Sequence, residues 1–125
     1  MEVAIQEIDQ AQAVQFCKQF VKEHVDAKFV NGAHYLGAFV HGKLVGCCGW
    51  VLLGSVLRYK GDCVLPNYRM NNIYEGMFYM RDARTQNIPH TKTTAFCTAK
   101  SLNTYLRHGF CSVTTKANGI TFVSR

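Results

Sequence analysis

Val64-Leu65-Pro66-Asn67-Tyr68-Arg69-Met70-Asn71-Asn72-Ile73-Tyr74 joins a strand-like run to a helix-like run. Before it, Val56 to Leu65 reads as a strand interrupted by Gly61, which marks a bulge. Pro66 ends that strand because it has no N–H for a ladder. After it, Ile73, Met77 and Met80 share one helical face, with Tyr74 and Phe78 beside them. The first N–H groups of a helix point out of its N-terminus and carry partial positive charge, so this joint suits an anion, most naturally a phosphate. The same composition also serves an ordinary strand-to-helix loop.

Toward the C-terminus, the helix gives out before Pro89, and Thr91 to Thr98 reads as a buried strand parallel to the one before the helix. Ser101 is placed to cap a short helix, Leu102 to His108, which Gly109 stops. Ser112 to Lys116 and Ile120 to Val123 flank Asn118-Gly119, a strong hairpin signal. Toward the N-terminus, Val3 to Ile8 alternates as a strand, and Asp9 caps a helix whose apolar stripe is Ala13, Phe16, Cys17, Phe20 and Val21. That helix ends near His24, and Val25 to Gly32 is a loop. Tyr35 to Val40 and Leu44 to Leu53 flank His41-Gly42 as an antiparallel hairpin, and Gly54-Ser55 makes a second reversal.

The order is β-α-β-β-β-α-β-α-β-β, an α/β (α+β) mixed sheet with one parallel crossover and antiparallel hairpins on both sides. Ligands of such sheets gather at the carboxyl ends of the parallel strands, here near Leu65 and Thr98.

With 125 residues, 48% of them hydrophobic, the chain is expected to form one globular domain over residues 1–125. The longest apolar run, Leu44 to Leu53, is broken by Gly46 and Gly49 and is too short to span a bilayer. Met1-Glu2-Val3 lacks the basic then apolar pattern of a signal peptide, so a cytoplasmic location and no membrane partner are expected. The cysteines at 17, 47, 48, 63, 97 and 111 fall in apolar runs without the paired spacings of zinc sites, and are expected to be core residues with no metal. Charge is uneven: four Lys/Arg and five Asp/Glu precede Ser55, whereas ten and three follow from it, giving −1 and +7. The second half therefore favours an anionic partner, either cofactor phosphates or nucleic acid.

Two motifs resemble those of the GNAT superfamily of acyl-CoA-dependent N-acetyltransferases. Val64-Leu65-Pro66-Asn67-Tyr68-Arg69 with Asn72-Ile73-Tyr74 looks like the acyl-CoA signature R-x-x-G-x-G/A preceded by V-x-P-x-Y. Ser101-Leu102-Asn103-Thr104-Tyr105-Leu106-Arg107-His108-Gly109-Phe110 is similar to the second signature, a helix with S-x-x-x-Y followed by x-x-x-G-F. Their order and elements agree with that family over essentially the whole chain. The resemblance implies acetyl-CoA, or a related acyl-CoA, as co-substrate. It places cofactor binding on Cys63, Val64, Arg69, Met70, Asn71, Asn72, Ile73, Tyr74, Thr98 and Ser101. Asn72 and Tyr74 stand where the signature has glycines. Asparagine tolerates a left-handed backbone, whereas the Tyr74 side chain has to point away from the phosphates.

The resemblance also implies that Tyr105 protonates the departing CoA thiolate. Asp62 is the carboxylate best placed by position to act as general base, with His34 and Tyr59 as candidates acting through a water. Backbone N–H groups around Asp62 to Val64 are candidate oxyanion donors for direct attack by an amine. The implied activity is N-acetyl transfer to a primary amine. The short wall at Val25 to Gly32 suits a large acceptor, a protein tail or nucleic acid, or a site completed by a second subunit in a homodimer. Trp50, Tyr35 and Tyr59 either stack on a base or fill the sheet face. Two alternatives stand beside acyl transfer: a non-catalytic acyl-CoA or nucleic-acid-binding module, and a nucleic-acid base-modifying enzyme on the same fold.

Overall fold

A computed structural model describes all residues, Met1–Arg125. Strands β1 (Ala4–Ile8), β2 (His34–Val40), β3 (Lys43–Leu53), β4 (Val56–Val64), β5 (Lys92–Cys97), β6 (Cys111–Thr115) and β7 (Thr121–Ser124) form one sheet. Their spatial order is β1-β2-β3-β4-β5-β7-β6. The helices are α1 (Gln10–Cys17), α2 (Ile73–Thr85) and α3 (Leu102–Arg107). Only the β4–β5 pair is parallel; every other neighbouring pair is antiparallel. The expected order, crossover and hairpins are thus all present. No helix is long and apolar enough to cross a membrane.

Local chemistry explains the element ends. Asp9 Oδ1 accepts from Gln12 N–H at 2.8 Å, so α1 starts where a cap was expected. Its last turns tighten into a 3-10 segment, Lys18–Glu23, with a kink at Phe20. The tightening rotates Val21 off the apolar stripe to 60% exposure, against expectation, while Phe20 stays buried. His24 then closes the helix in a left-handed conformation. Ser101 begins α3 but makes no cap bond; its hydroxyl donates to the Thr98 carbonyl instead.

Apolar side chains pack on both faces of the sheet. One cluster places Ile73, Met77 and Phe78 of α2 and Tyr105 of α3 against Leu36, Ala38, Cys48, Trp50 and Tyr59. The other places Ala13, Phe16 and Cys17 of α1, with Phe20, against Tyr35, Cys47 and Cys63. The alternation of β strands divides the two sets: Cys47 serves one face and Cys48 the other. Trp50, Tyr35 and Tyr59 are all core residues, so none offers a free ring for stacking. Cys111 departs from the expected cysteine burial, because it sits exposed on β6 at the sheet edge.

Two features of β4 shape everything that follows. Opposite Cys48, the β3–β4 register slips, so that Gly61 and Asp62 face a single residue in the expected bulge. Gly61 adopts φ +68°, and a Cβ there would stand 2.9 Å from the Tyr35 ring, so position 61 requires glycine twice over. Further along, β4 and β5 pair only from Val56–Lys92 to Tyr59–Ala95, although β4 runs on to Val64 and β5 to Cys97. The two strands part company beyond the paired segment.

Candidate active site

A cleft of about 590 Å³ lies where β4 and β5 separate. Cys63, Val64, Arg69, Met70, Asn72, Ile73, Tyr74, Thr98 and Ser101 line it, so every expected cofactor residue except Asn71 is brought together. Asn71 turns its amide back to the Arg69 carbonyl at 3.2 Å. Glu23, Glu75, Lys100, Thr104 and Arg107 also line the cleft and were absent from the sequence-derived set.

The loop between β4 and α2 presents a row of donors. Met70 and Asn72 adopt φ +68° and +61°, the left-handed turn that asparagine was expected to tolerate at position 72. Asn72 makes no side-chain cap, and the α2 ladder opens with Gly76 N–H to the Asn72 carbonyl at 3.0 Å. The N–H groups of Ile73, Tyr74 and Glu75 therefore lie ahead of the ladder at the cleft rim. Tyr74 turns its side chain inward and donates its hydroxyl to Asp62, which keeps the ring from capping those donors.

The nearby charges are already engaged. Arg69 donates from Nε to the Val64 carbonyl at 2.9 Å and from a terminal nitrogen to Glu23 at 3.0 Å, pinning the end of β4 to the segment after α1. Glu75 bonds Arg107 and His108, and the Arg107 hydrogen bond holds its carboxyl below the usual range. Its charge is thus balanced where an anion would approach.

Beneath the cleft lies a buried network that sequence reasoning missed. The Arg81 side chain is 0% exposed and meets the Asp62 side chain, itself 5% exposed, through two bonds of 2.7 and 2.9 Å. Arg81 also donates to the Gly49 carbonyl at 3.1 Å and stacks 3.9 Å from the centre of the Tyr59 ring. Tyr105 donates to Asp62 at 2.6 Å. The signal was present in the sequence, since Arg81 follows Met77 at i+4 and so lies on the buried face of α2.

This network surrounds both residues expected to be catalytic, Asp62 and Tyr105. Asp62 accepts from two arginine nitrogens and two phenols, three of the bonds on Oδ2 and one on Oδ1, so it is held as the partner of Arg81 while Oδ1 keeps one acceptor site. Tyr105 is 2% exposed, and burial followed by the Asp62 charge pushes its phenol well above the ordinary range. Tyr105 does not line the main cleft itself but lines a small pocket that shares Asp62, Thr98 and Ser101 with it. The two candidates for a base acting through a water also have partners. Tyr59 is tied to Asp82 at 2.6 Å and Thr85 at 2.9 Å, and His34 lies outside the cleft, stacked on Trp50.

No protein-family model and no curated protein matches this sequence. Solved structures resemble it closely in backbone. The PaiA N-acetyltransferase from Thermoplasma acidophilum, in complex with coenzyme A, is 9% identical with a TM-score of 0.77, covering 100% of this chain and 99% of that one. An acyl-CoA N-acyltransferase from Pseudomonas aeruginosa is 14% identical with a TM-score of 0.77, covering 99% of each. An acetyltransferase of the GNAT family from Staphylococcus aureus is 16% identical with a TM-score of 0.73, covering 99% of this chain and 98% of that one. Over essentially its full length, this chain has the GNAT acyl-CoA N-acyltransferase fold.

Proposed function

We propose that this protein binds an acyl-CoA, acetyl-CoA foremost, and transfers the acyl group to a primary amine. The observation that carries this reading is the uncapped row of N–H groups at Ile73, Tyr74 and Glu75, on the rim of the cleft between β4 and β5. Those donors suit a pyrophosphate, and Lys100 adds positive charge on the cleft lining. When bound, the acyl-CoA supplies a thioester carbonyl open to attack. The backbone of Asp62 to Val64 is the source of donors to the oxygen of that carbonyl, and the cleft holds the amine in line. Asp62 and Tyr105 act here as positioning residues that fix the strand bearing those donors.

A nucleic-acid acceptor or partner is less favoured. Of the ten cations from Ser55 onward, Lys60, Arg69, Arg81, Arg84, Arg107 and Arg125 are paired with carboxylates of the same chain. The charge that pointed to phosphate backbones is largely neutralised internally, and the aromatic rings that would stack on bases are buried. An amine on a small molecule or a protein tail is the acceptor class proposed.

Calorimetry with CoA tests the cofactor, and thiol release from acetyl-CoA across amines, peptides and nucleic acids tests the transfer. Absence of binding at millimolar CoA removes both proposals. Binding without thiol release on any amine leaves a non-catalytic acyl-CoA module.

A further inference from the structure

Three cysteine sulfurs from three different elements meet behind the cleft wall. Cys17 Sγ, at the end of α1, lies 3.5 Å from Cys47 Sγ of β3 and 3.8 Å from Cys63 Sγ of β4. Cys47 and Cys63 are 3.7 Å apart. The bulge turns the Gly61 carbonyl to the same point, with its oxygen 3.6, 3.4 and 3.7 Å from the sulfurs of Cys17, Cys47 and Cys63. These six distances are the edges of a nearly regular tetrahedron.

We infer that Cys17, Cys47, Cys63 and the Gly61 carbonyl form a site for a thiolate-preferring d10 cation, Zn2+ foremost. A tetrahedral zinc at about 2.3 Å from sulfur and 2.1 Å from oxygen implies S···S edges of about 3.8 Å and S···O edges of about 3.6 Å. The observed edges match both. The point equidistant from the three sulfurs is about 2.1 Å from each, so an ion with zinc–sulfur bonds of about 2.3 Å rides about 0.9 Å out of their plane. On the Gly61 side, that position is about 2.0 Å from the carbonyl oxygen, within the usual zinc–oxygen range.

Packing of neutral thiols accounts for this geometry less well. Three S–H groups converge on a single carbonyl oxygen, which has two lone pairs, so one donor is left with only a neighbouring sulfur, a weak acceptor. Metal binding removes the conflict by replacing three S–H bonds with three metal–sulfur bonds, releasing the protons to solvent with no change of oxidation state. A second polar group is also unsatisfied nearby. The Tyr35 hydroxyl is buried without a hydrogen-bond partner, and a Cβ built on Gly61 would stand 3.5 Å from it and 3.6 Å from Cys17 Sγ.

Local spacing concealed the site, because its ligands are 30 and 16 residues apart and come from α1, β3 and β4. Cys63, 8% exposed, lines the cleft and gives an ion its way in. A bound ion ties those three elements together at the bulge. The site needs no acyl-CoA, although its ligand Cys63 lies on the stretch of β4 proposed to face the thioester.

The test uses the full chain, reduced and freed of metal, titrated with Zn2+ and with Cd2+. One ion per chain by native mass spectrometry is expected, with a thiolate-to-cadmium ultraviolet band and three sulfurs at about 2.3 Å from zinc by X-ray absorption. Cys63→Ser should weaken binding at least about tenfold, and Cys17→Ser serves if that variant misfolds. Cys48→Ser, which removes a thiol that bonds the Met77 carbonyl outside the cluster, should leave affinity unchanged. No single-ion binding to the reduced wild type overturns the site, as does equal affinity in a folded Cys63→Ser or Cys17→Ser variant. Oxidation of Cys17 and Cys47 to a disulfide in a chain that takes up no metal when reduced overturns it in favour of a redox pair.

Discussion

The Tyr105 hydroxyl donates to Asp62 at 2.6 Å, and Asp62 in turn holds the fully buried Arg81. This places the tyrosine that the sequence resemblance marks as a proton donor inside a structural ion network. Tyr74 reaches the same carboxylate from the start of α2, so one buried charge pair links β4, α2 and α3 around the end of the cleft.

The network should rank its own variants. Asp62→Ala leaves Arg81 charged, buried and unpaired, which costs about 3–5 kcal/mol. Tyr105→Phe removes one hydrogen bond to a charged group and keeps the ring, costing about 1.5–3 kcal/mol. Urea denaturation of both gives the order. If Tyr105→Phe is as stable as wild type yet loses thiol release on an identified amine about a hundredfold, the general-acid role implied by the family resemblance is restored.

Much of this architecture was legible because its signals are local. Pro66, Gly61, Asn118-Gly119 and the Asp9 cap each act within a few residues, so strands, bulge and turns followed from their chemistry. That the loop residues line one cleft was legible too, as they are contiguous. Contacts between distant elements were not. Asp62 looked like a free carboxylate because its partners Arg81 and Tyr105 lie 19 and 43 residues away, and the cysteine cluster was hidden in the same way.

Acid should destabilise the fold through Asp82 and Glu75. Burial works against ionisation of Asp82, but hydrogen bonds from Arg125 and Tyr59 outweigh it and hold the carboxyl below its ordinary value. For Glu75, the Arg107 bond is the leading cause of the same shift. A depressed folded pKa adds stability above the unfolded value and loses it as pH falls through the folded one. Melting temperature should therefore drop below about pH 4, and Asp82→Asn should flatten that decline.

Asn72 controls the loop that presents the free N–H row. Its φ of +61° suits asparagine or glycine, whereas a β-branched residue is strained there. Asn72→Val should cost about 1–2 kcal/mol and weaken CoA binding about tenfold or more, while Asn72→Gly preserves both. Calorimetry with CoA and thermal melts read the two effects separately. CoA affinity unchanged in a folded Asn72→Val protein removes this loop from the cofactor site.

Thiol reactivity should divide the six cysteines five to one. Cys17, Cys47, Cys48, Cys63 and Cys97 are buried, and only Cys111 is exposed, on the edge strand β6. Modification needs a reachable thiolate, so a native chain should consume one equivalent of a thiol reagent quickly and the rest only as it opens. Cys111→Ser should abolish the fast phase, and denaturant should release all remaining thiols. A second fast equivalent that disappears on Cys63→Ser would mean that the cleft wall opens on the timescale of labelling, and the packing of β4 against α1 would then be looser than its contacts imply.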